Sequence, residues 1–208
     1  MQKIKMNPYK DLFQEINYHL LDDKEPSKYL NSIINHKEFE MYPFNMLYKL
    51  KDTKQSLRYH PEGNVWNHTL MVVDEGAKVK NKSNNVSAFM WAALLHDIGK
   101  PSTTKTRGDK ITSYDHDKVG AELSRDFLSE FTYNIEFINE VYYLIRYHMH
   151  ILFVLNKLPF GDIRGMKEYG DIYEVALLGL CDRLGRGGCD RTKEENNVRL
   201  FIEKCIKN

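Results

Sequence analysis

Trp91-Ala92-Ala93-Leu94-Leu95-His96-Asp97-Ile98-Gly99-Lys100-Pro101-Ser102-Thr103-Thr104-Lys105 is an apolar run that ends abruptly in two good metal ligands. Phe89, Ala92, Ala93 and His96 fall at i, i+3, i+4 and i+7, so His96 continues the apolar face of a helix. Gly99 is expected to supply a left-handed cap, and Pro101 to bias Lys100 away from helix, so that the helix stops near Asp97. An imidazole and a carboxylate at the buried end of an apolar helix cost on the order of several kcal/mol if nothing pairs with them.

The same irregularity recurs on three other stripes. His68 interrupts Val65 and Val72, His148 follows Val141, Leu144 and Ile145, and Asp182 follows Val175, Leu178 and Gly179. One histidine on an apolar face is ordinarily a hydrogen-bonded core residue, which is the reading given to His19, His36, His60 and His150. Repetition changes that reading for the others: if the helices pack as a bundle, the imidazoles and carboxylates converge with the apolar faces. A divalent cation satisfies several of them together. Imidazole and carboxylate without a thiolate at ligand spacing favour Mn, Fe, Co, Ni or Zn over an oxygen cage for Ca. Open positions on such an ion bind water and lower its pKa, which is hydrolytic chemistry.

Working outward, nearly every periodic segment has helical spacing. Helices are expected over 8–22, 27–36, 43–51 (from Pro43), 64–80, 117–131, 135–149, 171–184 and 192–206, the last opened by a capping box of Thr192 and Glu195. Arg58 to Gly63 reads as a loop, and residues 156–170 as a loop holding one short helix. Gly108-Asp109, within residues 101–117, suggests a hairpin-like excursion of two short strands. The fold class is therefore all-α, a helical bundle with one irregular or hairpin-like loop after the His-Asp helix.

Lys+Arg at 30 against Asp+Glu at 29 leaves a net charge of +1, which does not mark a nucleic-acid or membrane-surface protein by bulk charge. No apolar run is long enough to span a bilayer, and Met1 to Pro8 lacks the apolar core of a signal peptide. Cys181, Cys189 and Cys205 have no C-x-x-C spacing and read as free thiols of a cytoplasmic protein.

His68, then His96-Asp97, then Asp182 resembles the H…HD…D signature of the HD superfamily of metal-dependent phosphohydrolases, and His96-Asp97-Ile98-Gly99-Lys100 is similar to its HDIG branch. Trp66-Asn67-His68-Thr69-Leu70, the stretch His96 to Thr103, and His116-Asp117-Lys118-Val119-Gly120-Ala121 look like the HD domain attached to bacterial CCA-adding and poly(A)-polymerase-type enzymes. The resemblance covers about residues 58–190. It implies an N-terminal helical extension at 1–57 packed on the HD domain at 58–190, and a C-terminal helix at 191–208, all in one compact unit. Asp22-Asp23 is no substitute for a paired-carboxylate polymerase motif, so a stand-alone protein without a polymerase head is expected.

The resemblance further implies one or two divalent ions (Mn, Fe, Co, Ni, Zn or Mg) held by His68, His96, Asp97 and Asp182. His116 and His148 stand where members with a second metal carry histidines, and Asp97 would then bridge. His116 has a second reading as a phosphate-contacting histidine. Gly120 is read as keeping the first turn of its helix slim beside the site. The implied activity is a phosphodiesterase or phosphomonoesterase acting through a metal-activated water on a small-molecule phosphate ester, a nucleotide or an RNA end. Asp97 would orient the water or take its proton. Lys100 would clamp a phosphate oxygen, unless it is an exposed lysine at a helix C-terminus. Thr104, Lys105 and Arg183 are further substrate-binding candidates, with Arg186 beside them and Arg146 and Arg164 behind. Tyr142, Tyr143, Tyr147, Phe153 and Phe160 are either core residues or stacking partners for a base. The alternatives are a nucleotide- or RNA-binding module with a structural metal, and oxygenase chemistry on a di-iron site.

Overall fold

Helical periodicity runs through most of the chain, and the computed structural model, which describes residues 8–207, is built accordingly. Met1–Asn7, part of the stretch judged unlike a signal peptide, and Asn208 lie outside the described residues. In chain order the elements are α1 (Pro8–Asp22), α2 (Pro26–Ile33), α3 (Asn45–Tyr48), α4 (Val65–Val79), α5 (Val86–Leu95), α6 (Lys100–Thr103), β1 (Thr104–Arg107), β2 (Lys110–Ser113), α7 (His116–Ser129), α8 (Ile135–Tyr147), α9 (His150–Leu155), α10 (Ile163–Tyr169), α11 (Ile172–Leu184) and α12 (Arg191–Lys207). Tight 3-10 turns at Lys37–Glu40, Lys49–Asp52 and Lys80–Lys82 join some of them. The helix expected from Pro43 starts at Asn45 and passes into the second of these turns. The short helix expected inside 156–170 is α10.

The organising element is α5. Every residue from Ala88 to Leu95 is buried, and a helix that is apolar all round must be covered on all sides. α1, α4, α8 and α11 do this. On one flank Phe13 of α1 stacks on Trp91 with centroids 4.4 Å apart, and the Trp91 indole N–H donates to Asn17 at 2.9 Å. Phe13 also stacks on Phe131 at 4.6 Å. Side-chain caps set the helix starts: Asn64, Asn85, Asn134, Asp162 and Asp171 each accept a backbone N–H of the first turn. For α12 the cap is Asp190, whose carboxylate accepts from the Lys193 N–H at 3.2 Å, so the expected Thr192–Glu195 box is displaced by a better-placed anion two residues earlier.

The expected hairpin is present as β1 and β2, paired from Thr104↔Ser113 to Arg107↔Lys110, and Gly108 takes a positive φ of 57° in its two-residue loop. The exit from α5 corrects the sequence reading twice. Gly99 is right-handed (φ −78°, ψ −18°) and caps nothing in the left-handed region. What requires glycine there is close approach, since a Cβ would stand 2.3 Å from the His116 carbonyl oxygen and 2.6 Å from the Gly120 nitrogen. Gly120 faces it less tightly: a Cβ there would stand 3.3 Å from the Gly99 nitrogen, which still favours a slim first turn of α7. Pro101 does not push Lys100 out of helix either. It sits in the first turn of α6, where a proline ring and its missing N–H are tolerated.

Gly99→Ala is expected to cost about 1–3 kcal/mol, because two backbones must separate to admit one methyl group. Urea denaturation of the variant measures it, and a change below about 0.5 kcal/mol would show that the crossing is not tight.

Candidate metal centre

The residues singled out by the stripes sit at helix ends or on helix faces that meet at one point. His68 comes from α4, His96 and Asp97 lie just past α5, His116 opens α7, His148 lies just past α8, and Asp182 is on α11. All six are buried. His68 Nε2 is 3.0 Å from Asp182 Oδ1 and 3.9 Å from Asp97 Oδ2. Asp97 stands between the others, with Oδ2 3.2 Å from His96 Nε2 and Oδ1 3.4 Å from His116 Nε2. The ring centroids of His96 and His148 are 5.4 Å apart, and those of His116 and His148 5.2 Å. Two ligand groups result, His68–His96–Asp182 and Asp97–His116–His148, each with its donor atoms within 4.8 Å of one another.

Three of the histidines are oriented by one device. The Nδ1 of His96, His116 and His148 lies 2.9, 2.7 and 2.6 Å from the carbonyl oxygens of Ala93, Ser113 and Ile145. A carbonyl can only accept, so Nδ1 carries the proton and Nε2 turns a lone pair to the centre. His96 Nε2, His116 Nε2 and Asp97 Oδ2 are buried and have no hydrogen-bond partner. Lys100 Nζ is 2.7 Å from Asp97 Oδ2, close enough to offset its charge but out of line for a hydrogen bond. Lone pairs that face each other at 3.2 Å, with no hydrogen between them, are the arrangement a cation relieves. The donor set fits a divalent metal.

The protonation states agree. Burial raises the Asp97 carboxyl, but Lys100, His96 and His116 outweigh it and hold the group well below the carboxylate range. Asp182 is lowered likewise, by Arg186 and His68 against burial. Burial, then the repulsion of His116 and His96, lowers His148 to about 4, and burial also lowers His116. His68 is the exception: Asp182 and Glu62 overcome its burial and raise it.

Asp97, His116, His148 and Asp182 line one end of a cavity of about 670 Å³, whose walls also include Gln55, His60, Lys100, Arg186, Phe153 and Phe160. Lys100 is buried between Asp97 and Gln55 Oε1 (2.6 Å), which overturns the reading of it as an exposed C-terminal lysine. Arg186 lines the cavity while binding Asp182 at 2.9 Å. Arg183 turns away to Glu194, Thr104 bonds Ser113 within the hairpin, and Lys105 is exposed on β1; none of the three lines the cavity. Arg146 pairs with Asp117 at 2.9 Å, and Arg164 is exposed on α10. Phe153 and Phe160 reach the cavity, whereas Tyr142, Tyr143 and Tyr147 do not. His150 points elsewhere, as its offset of two from His148 requires, and accepts from the Asp162 N–H at 3.0 Å. His60 departs from its reading as an isolated residue. It lines the cavity and packs edge-on against His68, with centroids 4.8 Å apart. It belongs to an aperiodic loop, where spacing carries no signal.

The HD domain family model matches residues 65–185, more than half of the chain. The chain belongs to the HD domain family. HD domains make up a superfamily of metal-dependent phosphohydrolases and bind divalent metals. The HD chain is also similar to proteins named multifunctional CCA protein. That of Mannheimia succiniciproducens is 25% identical over 180 residues, 83% of this chain and 42% of its own length. That of Actinobacillus pleuropneumoniae serotype 5b is 28% identical over 103 residues, 49% of this chain and 24% of its own length. That of Pasteurella multocida is 29% identical over 111 residues, 52% of this chain and 26% of its own length. The chain thus spans less than half the length of these relatives. Among the described residues of this HD protein, no helix is long and apolar enough to cross a membrane, and the three cysteines are free.

Because two ligand groups share the neighbourhood of Asp97, titration with Mn2+ is expected to saturate at two ions per chain and to fall to one in His116→Ala. A wild-type ratio fixed at one would reduce His116 and His148 to supporting roles. The metal-free protein should also lose stability in acid. His148 and His150 titrate at about 4 when folded, below the ordinary histidine value of 6.5. An unfolded chain therefore binds protons that the folded chain refuses, so their contribution is complete above pH 6.5 and lost as pH falls towards 4. His68, raised by its carboxylates, acts in the opposite sense. Urea midpoints across this window in EDTA should decline with acidity, and His150→Gln should make the decline shallower.

Proposed function

We propose that this HD protein is a divalent-metal-dependent phosphohydrolase, a phosphodiesterase or phosphomonoesterase whose substrate is a nucleotide or an RNA-end phosphate. The observation that carries the reading is a set of bare, buried donor atoms of which Asp97 and His116 open onto a cavity that also holds Lys100, Lys118, Arg186 and an aromatic wall. His68, His96, Asp97 and Asp182 would hold one ion, and Asp97, His116 and His148 a second. When bound, such ions supply Lewis acidity towards phosphoryl oxygens and make water nucleophilic near neutral pH.

The chain's own groups complete the chemistry. Asp97 is ionised and can orient a water or accept its proton. Lys100 and Arg186, each tethered to a ligand carboxylate, are placed to bind non-bridging phosphate oxygens. Neither has to be ordered when substrate arrives, because burial and their partners already fix them. Phe153 and Phe160 sit 5.6 Å apart, and Tyr59 and Tyr114 line the same cavity largely exposed, which suits a flat, apolar substituent such as a nucleobase. The CCA name of the longer relatives points in the same direction.

A Mn2+-supplemented screen of p-nitrophenyl phosphate, its diester, 2′,3′-cyclic nucleotides and nucleoside monophosphates tests the reading. Turnover is expected on at least one nucleotide, with Asp97→Ala losing it and Lys100→Ala lowering kcat by about 100-fold. No turnover on any ester, or turnover indifferent to Asp97→Ala, would sink the proposal. Iron-dependent oxygen consumption in its place would assign the centre to the di-iron alternative.

A further inference from the structure

The loop just before α4 carries a carboxylate that the six ligands do not account for, and it lies outside the segment matched by the family. The Glu62 side chain is only 4% exposed. Its Oε1 lies 2.9 Å from His68 Nδ1 and 2.8 Å from His60 Nδ1, and its Oε2 accepts a hydrogen bond from the Gly187 N–H at 3.2 Å. Glu62 therefore joins three walls: the loop itself, the α4 face that bears His68, and the turn after α11, which follows Asp182 and Arg186.

His96, His116 and His148 are each oriented by a backbone carbonyl. His68 has a carbonyl as well, that of Gly185, but at a longer 3.3 Å, and the nearer partner of its Nδ1 is the Glu62 carboxylate. Both neighbours of this nitrogen are acceptors, and so is Asp182 beside Nε2 at 3.0 Å, so it is as a metal ligand through Nε2 that a neutral His68 would keep its proton on Nδ1. A carboxylate does more than a carbonyl here. Its charge draws the Nδ1 proton and makes the opposite nitrogen a stronger ligand.

We propose that Glu62 is a positioning residue of the metal centre: it locks His68 in the Nδ1–H tautomer, strengthens it as a ligand, and holds His60 with its other ring nitrogen available to the cavity. The proposal rests on the reading of His68 as a ligand. It also distinguishes two uses of the group His60–Glu62–His68, whose donor atoms lie close enough to hold an ion of their own. The His60 Nδ1 pair is a hydrogen bond at 2.8 Å and the His68 Nδ1 pair an ion-pair contact at 2.9 Å, and the Gly187 N–H already occupies the other oxygen of the same carboxylate.

The test uses the full chain, with Mn2+ alone as the probe in isothermal titration. Glu62→Leu is expected to weaken Mn2+ binding by about 10–100-fold, the range typical of outer-sphere partners. Glu62→Gln is expected to weaken it less, because its amide oxygen can still face the two histidines, although the NH2 must then turn towards the Gly187 N–H. His60→Ala should leave Mn2+ affinity within about twofold, since His60 meets the ligands through Glu62 and the edge of the His68 ring and gives no atom to the six-residue centre. In Zn2+-loaded, 15N-histidine-labelled protein, the His68 Nδ1–H proton should resonate far downfield in wild type and move upfield in Glu62→Gln. This readout decides the matter if Glu62→Leu does not fold. Unchanged Mn2+ affinity in both Glu62 variants, or a His68 proton on Nε2 in the Zn2+-loaded protein, overturns the proposal. Loss of a Mn2+ site in His60→Ala would overturn it too, making the trio a metal site in itself. A wild-type chain that takes up no Mn2+ would defeat the metal reading together with this one; normal wild-type binding with unaffected variants defeats the role of Glu62 alone.

Discussion

Two acceptors that cannot share a hydrogen, His96 Nε2 and Asp97 Oδ2, are pressed to 3.2 Å in the middle of the protein. The rest of the architecture holds them there. α5 is apolar on every side, so its packing is over-determined and its end cannot drift. The Gly99–Gly120 crossing brings α7 against that end, which delivers His116 to the second carboxylate oxygen. Carbonyls at Ala93, Ser113 and Ile145 hold three imidazoles with their lone pairs inward. Each is an ordinary interaction, and together they maintain an electrostatic conflict that one type of ligand resolves.

Much of this was legible because the ligands lie on or at the ends of helices. A 3.6-residue period fixes which side chain continues an apolar face, so His68, His96, His148 and Asp182 stood out as misfits. The same arithmetic separates two arginines: Arg186, four residues after Asp182, shares its side of the helix, whereas Arg183, one residue after, is rotated away to Glu194. Lys100 follows Asp97 by three and likewise returns to it. What spacing could not reach was tertiary. The need for glycine at Gly99 comes from a backbone about twenty residues further on, and nothing local distinguishes close approach from a left-handed cap. Gln55, His60 and Glu62 belong to a loop without period, and their contacts depend on where the chain returns, at Lys100 for Gln55 and at Gly187 for Glu62.

The cations of the cavity carry a further physical point. Lys100 and Arg186 lie against ligand carboxylates, where they lower the affinity of Asp97 and Asp182 for protons and compete with any cation bound there. The centre is therefore less anionic than its aspartates suggest, and a phosphate bound beside these side chains would share their charge with the carboxylates where they stand. Substrate and metal would then favour each other through residues that touch both.

The contact between His68 and Asp182 joins residues 114 positions apart in the chain. That contact spans α5 to α10 and forms only when the chain is folded. An ion held by both residues would add its binding free energy to folding, because the unfolded chain offers no such site. Its removal would be felt at both ends of that long stretch at once, as a loss of stability shared by α4 and α11.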